Sequence, residues 1–362
     1  MPAAEGNPAG VTAPNHCAKR AGDYPALVVF GGRSTGPLLP GCGTLRNMDA
    51  ELLDQELLAR IEGLATRWVR EAGQMALRSF FQPLTVEYKQ ENRSDPVTEV
   101  DRSIESFLHT SIIGEFPDHA VLGEEGTDID VAERDFVWVL DPLDGTTNFV
   151  NGLPLFACSA ALLFKGVPEV GAIFLPVAAR SAGAMSRTVV GESASLQIGS
   201  GVLHAHLGGG AFLDEAPIRA SDAAVPESSS LSGLPGHHAR QFQRLDKLRS
   251  NPGELRSLGS VCYETAMVAS GVFRYSVFRR PKLWDVAAGI LIVQESGGLG
   301  LAWLDGHWVP ITSFEPMANP KNPEERGLRF WTSVTLLGGS QVARYVADRL
   351  SPRVRPSTRR PS

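Results

Sequence analysis

Between positions 49 and 81 the apolar residues Leu53, Leu57, Ile61, Leu64, Val69, Ala72 and Met75 recur mostly three or four apart. That is the period of one helix face, and it predicts a long amphipathic helix. Asp49 is placed to cap its start and Pro83 to stop it. A second helical pattern runs over about 101–113, through Ile104, Phe107, Leu108 and Ile112. Strand patterns follow: Val137-Trp138-Val139-Leu140, then 156–164 and 170–175, joined by a Lys165-Gly166-Val167-Pro168 turn. The Gly- and Ser-rich stretch 191–210 reads as a hairpin or mobile loop. In the second half, helices at 262–270, 284–296 and 340–350 alternate with strands near 273–278 and 331–337. Such alternation predicts an α/β fold of layered sheets and helices, not a bundle or a sandwich.

The ends have a different character. Residues 1–47 are mostly Gly, Pro, Ala and small polar residues with no sustained period, and the pattern changes at Met48. They are expected to be a disordered or non-native extension. The Pro-, Ser- and Arg-rich stretch 351–362 also reads as disordered. The folded domain is expected over 48–350, with an N-terminal lobe at 48–200 and a C-terminal lobe at 210–350.

Charge narrows the class. In 362 residues, 34 Lys and Arg against 40 Asp and Glu leave a formal charge of −6. With no long basic block, the chain lacks the footprint of a nucleic-acid binder, so no nucleic-acid partner is expected. No apolar run approaches the roughly 20 residues that span a bilayer, and no membrane partner is expected. The short apolar stretch 25–30 lies behind Lys19, Arg20 and Asp23 and is no convincing signal peptide. Cys17, Cys42, Cys158 and Cys262 show no paired spacing and read as reduced thiols of a cytoplasmic protein.

The sharpest chemistry lies in Asp141-Pro142-Leu143-Asp144-Gly145-Thr146-Thr147-Asn148-Phe149. It follows an apolar strand, so Asp141 is expected where strand gives way to turn. Pro142 stiffens the exit and Gly145 permits an unusual backbone angle. Two carboxylates three apart can then converge, with the Leu143 carbonyl between them, as a hard divalent cation requires. Taken alone, the same string also fits a turn whose aspartates cap the next helix. Three further acidic segments accompany it: Gly123-Glu124-Glu125-Gly126, Trp284-Asp285-Val286-Ala287-Ala288-Gly289, and 94–101 with Asp95 and Asp101. The last fits an N-cap signal equally well, and Asp285 at a helix start is favoured by the helix dipole even without a metal.

In order and spacing, these segments over about 48–350 resemble the signature of the inositol monophosphatase family. The resemblance implies a sugar-phosphatase fold with the metal site between two lobes, a homodimer, and hydrolysis of a small phosphorylated metabolite with two or three Mg²⁺ per site. By motif, Glu124 would touch the first metal and help hold the nucleophilic water. Asp141 would bridge two metals, the Leu143 carbonyl would complete the first site, and Asp144 and Asp285 would bind the second. Thr146 would orient the water, and backbone amides near Gly145 and Thr146 would hold phosphate oxygens. Asp95 and Asp101, with Lys89 ahead of them, match an acidic pair near a third metal. The chemistry suits the problem, since a phosphate dianion repels a hydroxide nucleophile until cations neutralise it.

Specificity is where the chain departs from the family. The family's Gly-Thr-Ala-Ala loop is here Gly259-Ser260-Val261-Cys262. Where a glutamate that binds inositol hydroxyls is expected stands Phe278, followed by Arg279, Arg280 and Lys282. A missing hydrogen-bond partner costs heavily in discrimination, so myo-inositol 1-phosphate is not the expected preferred substrate. Two rivals remain: a related phosphatase for histidinol phosphate, fructose 1,6-bisphosphate or 3′-phosphoadenosine 5′-phosphate, and an inactive binding homologue. His204, His206, His237 and His238 are expected to be structural.

Overall fold

The computed structural model describes residues 53–80, 82, 86–88, 96–126, 131, 134–180 and 197–353. Successive side chains on a strand point to opposite faces, so a strand that is apolar throughout is buried on both. The sheet carrying the acidic segment is built from such strands. Among the described residues it runs β1 (Ala120–Gly123), β2 (Phe136–Asp144), β3 (Ala157–Phe164), β4 (Val167–Arg180), β5 (Gln197–His206), β6 (Gly210–Leu213) and β7 (Ala216–Pro217), in that spatial order. β1 and β2 are parallel and the later pairs antiparallel. Along β2, Trp138 and Leu140 enter one core while Val137 and Val139 enter another.

The Trp138 face is covered by α1 (Gln55–Phe80) and α2 (Glu99–Glu115), which bring Leu58, Ile61, Val69, Ile104, Leu108 and Ile112. Each such side chain contributes about 1.5–3 kcal/mol when fully buried. After the five-residue α3 (Thr146–Val150) come α4 (Val261–Ala269) and α5 (Leu283–Glu295), which cover the opposite face. Both are apolar nearly all round because a second sheet covers their far side. That sheet contains β8 (Leu231–Gly233), β9 (Glu254–Arg256), β10 (Phe273–Phe278), β11 (Gly298–Leu304), β12 (His307–Pro310) and β13 (Thr335–Gly339), in the order β9-β8-β10-β13-β11-β12. Its outer face, with Tyr275, Val277 and Leu336, packs on Val342 and Val346 of α6 (Ser340–Ala347). The layers therefore run helices, mixed sheet, helices, mixed sheet, helix, the α/β class expected from the pattern.

Several boundaries differ from expectation. The first helix begins at Gln55, and Asp49 lies outside the described residues. Its inward positions include Leu58 and Ala65, one residue on from Leu57 and Leu64. β2 does not end at Leu140. Its pairing with β3 continues through Asp141↔Ser159 to Asp144↔Ala157 around an irregularity, so both aspartates sit within the strand. Much of the stretch expected as a hairpin or loop is strand: β5 pairs with β4 along most of its length, and residues 191–196 lie outside the described residues. The strand expected over 331–337 is displaced to Thr335–Gly339, after a 3₁₀ turn at Leu328–Phe330. The extension 1–47 and residues 354–362 lie outside the described residues, as do Cys17, Cys42, Asp95 and Lys89. The start of the tail expected to be disordered from 351 is ordered instead, because Leu350–Pro352 pairs as an antiparallel strand with Phe242–Arg244. Cys158 and Cys262 are buried free thiols. Among the described residues, no helix is long and apolar enough to cross a membrane.

Candidate active site

The parallel register Gly123↔Leu140 brings Glu124 beside Asp141, because the next residue on each strand leaves the same end of the pair. Asp141 is 1% exposed and its Oδ1 accepts the Leu143 amide at 3.1 Å. Burial pushes its carboxyl well above the usual range, and Glu124, Asp144, Asp285 and Asp101 push the same way. Five carboxylates thus share one electrostatic neighbourhood, drawn from β2, α2, α5 and the residue that follows β1.

Each is held from its own element. Gly145 adopts φ 87°, and a Cβ there would lie 3.0 Å from the Leu155 carbonyl, so glycine alone fits this turn. The turn starts α3 and sends Thr146 back toward the strand, where its hydroxyl lies 2.9 Å from the Leu143 carbonyl and 3.2 Å from Asp101 Oδ1. Asp144 accepts at Oδ2 from the Ser260 hydroxyl and from the Cys262 amide at 2.7 Å. Burial raises its pKa, and these bonds oppose the rise. Asp285 occupies the first turn of α5, where Oδ2 accepts the Lys282 amide at 2.7 Å. Burial, then Asp144, holds its pKa well up.

Asp101 answers both readings of its segment. It completes a capping box with Thr98 at the start of α2, worth about 1 kcal/mol, and it also reaches Thr146. Asp95 and Lys89, expected nearby, lie outside the described residues.

Other residues of the site, some of them inside these same strings, had no role assigned from the sequence. Glu105 of α2 is 1% exposed and accepts the Glu125 amide at 2.8 Å. A Cβ on Gly123 would fall 2.4 Å from the Glu105 carboxyl carbon, so any larger residue there would displace that carboxylate from the Glu125 amide. Asn148 donates to the carbonyls of Leu155 at 2.6 Å and Leu258 at 2.7 Å, tying α3 to the loop before α4. From α4 itself, Glu264 accepts the amide of Leu258 in that loop, and burial lifts its carboxyl to about 7. The one available signal was a charged residue on an otherwise apolar helix face.

Carboxylates and one carbonyl form the donor set that a hard divalent cation takes, and a dense buried negative cluster is where such a cation is most stabilised. The side chains as they stand are turned toward hydrogen bonds instead. Among the described residues, no three His, Cys, Asp or Glu are gathered tightly enough to hold one ion. The donor chemistry of these residues is nonetheless that of a Mg²⁺ site.

Comparison with known proteins agrees with this fold. The model of the inositol monophosphatase family matches residues 57–329. Nus factor SuhB of Escherichia coli (strain K12) is 31% identical over 266 residues, spanning 71% of this chain and 91% of that protein. Nus factor SuhB of Pseudomonas aeruginosa is 34% identical over 248 residues, 65% of this chain and 83% of its own. Among solved structures, the Thermotoga maritima IMPase superposes with a TM-score of 0.57 at 25% identity, covering 80% of this chain and 96% of its own. The extragenic suppressor protein suhB of Bartonella henselae gives 0.59 at 23% identity, over 80% and 97%, a likeness of fold. The match over 57–329, together with these relatives, shows that the chain belongs to the inositol monophosphatase family.

Proposed function

We propose that this chain is a Mg²⁺-dependent hydrolase of a small phosphate monoester. The observation that carries the reading is the shared electrostatic neighbourhood of Glu124, Asp141, Asp144 and Asp285, in which Glu124, Asp144 and Asp285 all raise the pKa of Asp141, and Glu124 and Asp144 that of Asp285. Glu124, Asp141 and the Leu143 carbonyl would hold one ion, and Asp141, Asp144 and Asp285 another. Bound Mg²⁺ supplies charge neutralisation for the phosphate dianion and a lowered pKa for the attacking water. Glu124 would help hold that water beside Asp141. Thr146 orients it, with its hydroxyl proton pointed at Leu143 O or Asp101 so that its lone pairs face outward. Backbone amides at Gly145 and Thr146 bind phosphate oxygens as they turn out of β2. Burial of Cys158 and Cys262 pushes both thiols well up, which leaves them poor nucleophiles and favours direct attack by water.

The test is phosphate release from a panel of monoesters, including inositol 1-phosphate, histidinol phosphate, fructose 1,6-bisphosphate and 3′-phosphoadenosine 5′-phosphate. Each is assayed at fixed Mg²⁺ and in EDTA. Release that is equal in both conditions defeats the metal reading.

The name Nus factor SuhB, carried by relatives at 31–34% identity, supports a second reading. In it, the chain works by binding another macromolecule, with or without catalysis. Absence of Mg²⁺-dependent release across the whole panel favours that reading over the first.

A further inference from the structure

Arg329 lies behind the carboxylate cluster, in the 3₁₀ turn before β13. Its Nη2 donates to the backbone carbonyl of Gly123 at 2.5 Å, 206 positions away in the chain. Its guanidinium carbon stands 5.4 Å from the centroid of the Trp284 ring. Gly123 immediately precedes Glu124, and Trp284 immediately precedes Asp285. One planar cation therefore grips the chain one residue upstream of two carboxylates that come from different elements.

Those two carboxylates most need such a grip. Asp141 and Asp144 are fixed by the β2–β3 ladder, whereas Glu124 follows the last residue of β1 and Asp285 sits in the first turn of α5. Glu105 fixes the far side of the Glu124 segment through the Glu125 amide. Arg329 fixes the near side and references it to α5. Arginine suits the place because its guanidinium donates in plane to a carbonyl while presenting its face to an indole; an ammonium does one or the other. Arg329 also borders a cavity of about 410 Å³ shared with Leu122, Val137 and Leu328, so its head group is not enclosed packing.

We propose that Arg329 is a positioning residue: by joining the Gly123 carbonyl to the Trp284 ring it sets the separation of Glu124 and Asp285. That separation governs how tightly the cluster takes Mg²⁺ and where Glu124 holds the water. The proposal rests on the phosphatase reading above. The role of Arg329 is to act through the Gly123 carbonyl and the Trp284 ring.

The experiment compares the full-length wild type with Arg329→Met, Arg329→Lys and, as a control, Arg326→Met. Arg326 lies three residues earlier and donates to the Pro316 carbonyl. Mg²⁺ binding to the substrate-free protein is measured by calorimetry, alongside Tm in EDTA and kcat and KM at saturating Mg²⁺. Residues that orient metal ligands typically cost ~10–100-fold in metal affinity or activity when removed. Arg329→Met is accordingly expected to weaken Mg²⁺ binding and lower kcat by about tenfold or more, while KM changes little. Arg329→Lys should fall between it and wild type, and Arg326→Met should match wild type. Wild-type Mg²⁺ affinity and kcat in Arg329→Met would overturn the proposal, as would an equal loss in Arg326→Met. If Arg329→Met shows no cooperative melt, Arg329→Lys decides: a loss supports the role and wild-type values overturn it. A wild type that neither binds Mg²⁺ nor releases phosphate removes the phosphatase reading, and the proposal falls with it.

Discussion

The hydroxyl of Ser260 donates to Oδ2 of Asp144 across 116 positions, and its oxygen accepts the Tyr263 amide at 3.0 Å. One side chain thus caps α4 and anchors a strand-end carboxylate of the first sheet. Ser260→Ala removes both bonds. Loss of the cap costs about 1 kcal/mol, a fall of a few degrees in Tm. Loss of the bond to Asp144 removes one of the interactions that oppose the burial-driven rise of its pKa. The proton then competes better with Mg²⁺, so the Mg²⁺ requirement should rise, and rise most at low pH. Ser260→Thr keeps the hydroxyl and should behave as wild type. The check is half-saturating Mg²⁺ measured from pH 6 to 8; a requirement that does not move with pH in Ser260→Ala contradicts the argument.

Asp141→Asn separates function from stability. A neutral amide cannot bridge two cations, so kcat should fall far beyond the ~1.4 kcal/mol of barrier that a tenfold loss represents. The metal-free protein should nonetheless melt no lower than wild type, because the substitution removes a buried charge that its neighbours repel. The sign follows from linkage. A carboxyl whose pKa is raised on folding keeps protons that the unfolded chain would release, so folding loses stability as pH rises above the ordinary range near 3.8. In EDTA, the Tm advantage of Asp141→Asn over wild type should therefore grow between pH 5 and 8. A variant that melts well below wild type across that range would show the cluster is not repulsive.

His119 gives the opposite pH signature. Its ring stacks between Phe116 and Phe136, with centroids at 4.7 and 4.6 Å. Trp138 Nε1 lies 3.0 Å from His119 Nδ1. An indole nitrogen only donates, so Nδ1 must be the bare acceptor and the proton resides on Nε2. Protonating Nδ1 breaks that bond, and burial lowers the pKa to about 4 from an ordinary 6.5. The folded state then binds fewer protons than the unfolded state between these values, so stability drops as pH falls from 6.5 toward 4. His119→Gln should flatten Tm over that window, measured in EDTA on the Asp141→Asn background to remove Asp141's opposing slope, with Asp141→Asn alone as the reference. An unchanged slope would assign the acid sensitivity elsewhere.

Much of this was legible along the chain. Local spacing placed α2, β10 and α5 within two residues of their ends, and contiguous strings marked Glu124, Asp141, Asp144, Thr146 and Asp285. What escaped depends on pairs remote in sequence. Glu62 of α1 lies between His204 and His206 of β5, accepting from Nδ1 of each at 2.6 and 2.5 Å. Its carboxyl is held below the usual range by those histidines despite burial, and it raises His204 in turn. Nothing in the run of residues near Glu62 announces a buried charge, and the histidines alone said only that they share a strand face. Glu105 and Arg329 were hidden for the same reason: each matters through a backbone group that only folding delivers. The reach of β2 through Asp144 was missed because Pro142 and Gly145 signal a turn locally, whereas pairing to Ser159 and Ala157 prevails.

The expectation about substrate choice can be tested at the corner between β10 and α5. Phe278 is 7% exposed and belongs to the core between the sheets, so it offers no acceptor to a polyol. The next residues, Arg279 and Arg280, are exposed, and Lys282 gives its amide to Asp285. Three cations thus stand on the short turn that delivers one of the acidic residues. Arginine clamps a phosphate or carboxylate through two parallel bonds. An ester with a second anionic group should therefore have a higher kcat/KM than myo-inositol 1-phosphate. On the best substrate of the panel, Arg279→Ala or Arg280→Ala should raise KM several-fold with kcat nearly unchanged, since a remote clamp contributes equally to ground and transition states. The effect should shrink with added salt, because these side chains are exposed and screened. If inositol 1-phosphate proves best and neither change moves KM, the basic turn has no part in recognition, and hydroxyl binding must come from elsewhere in the site.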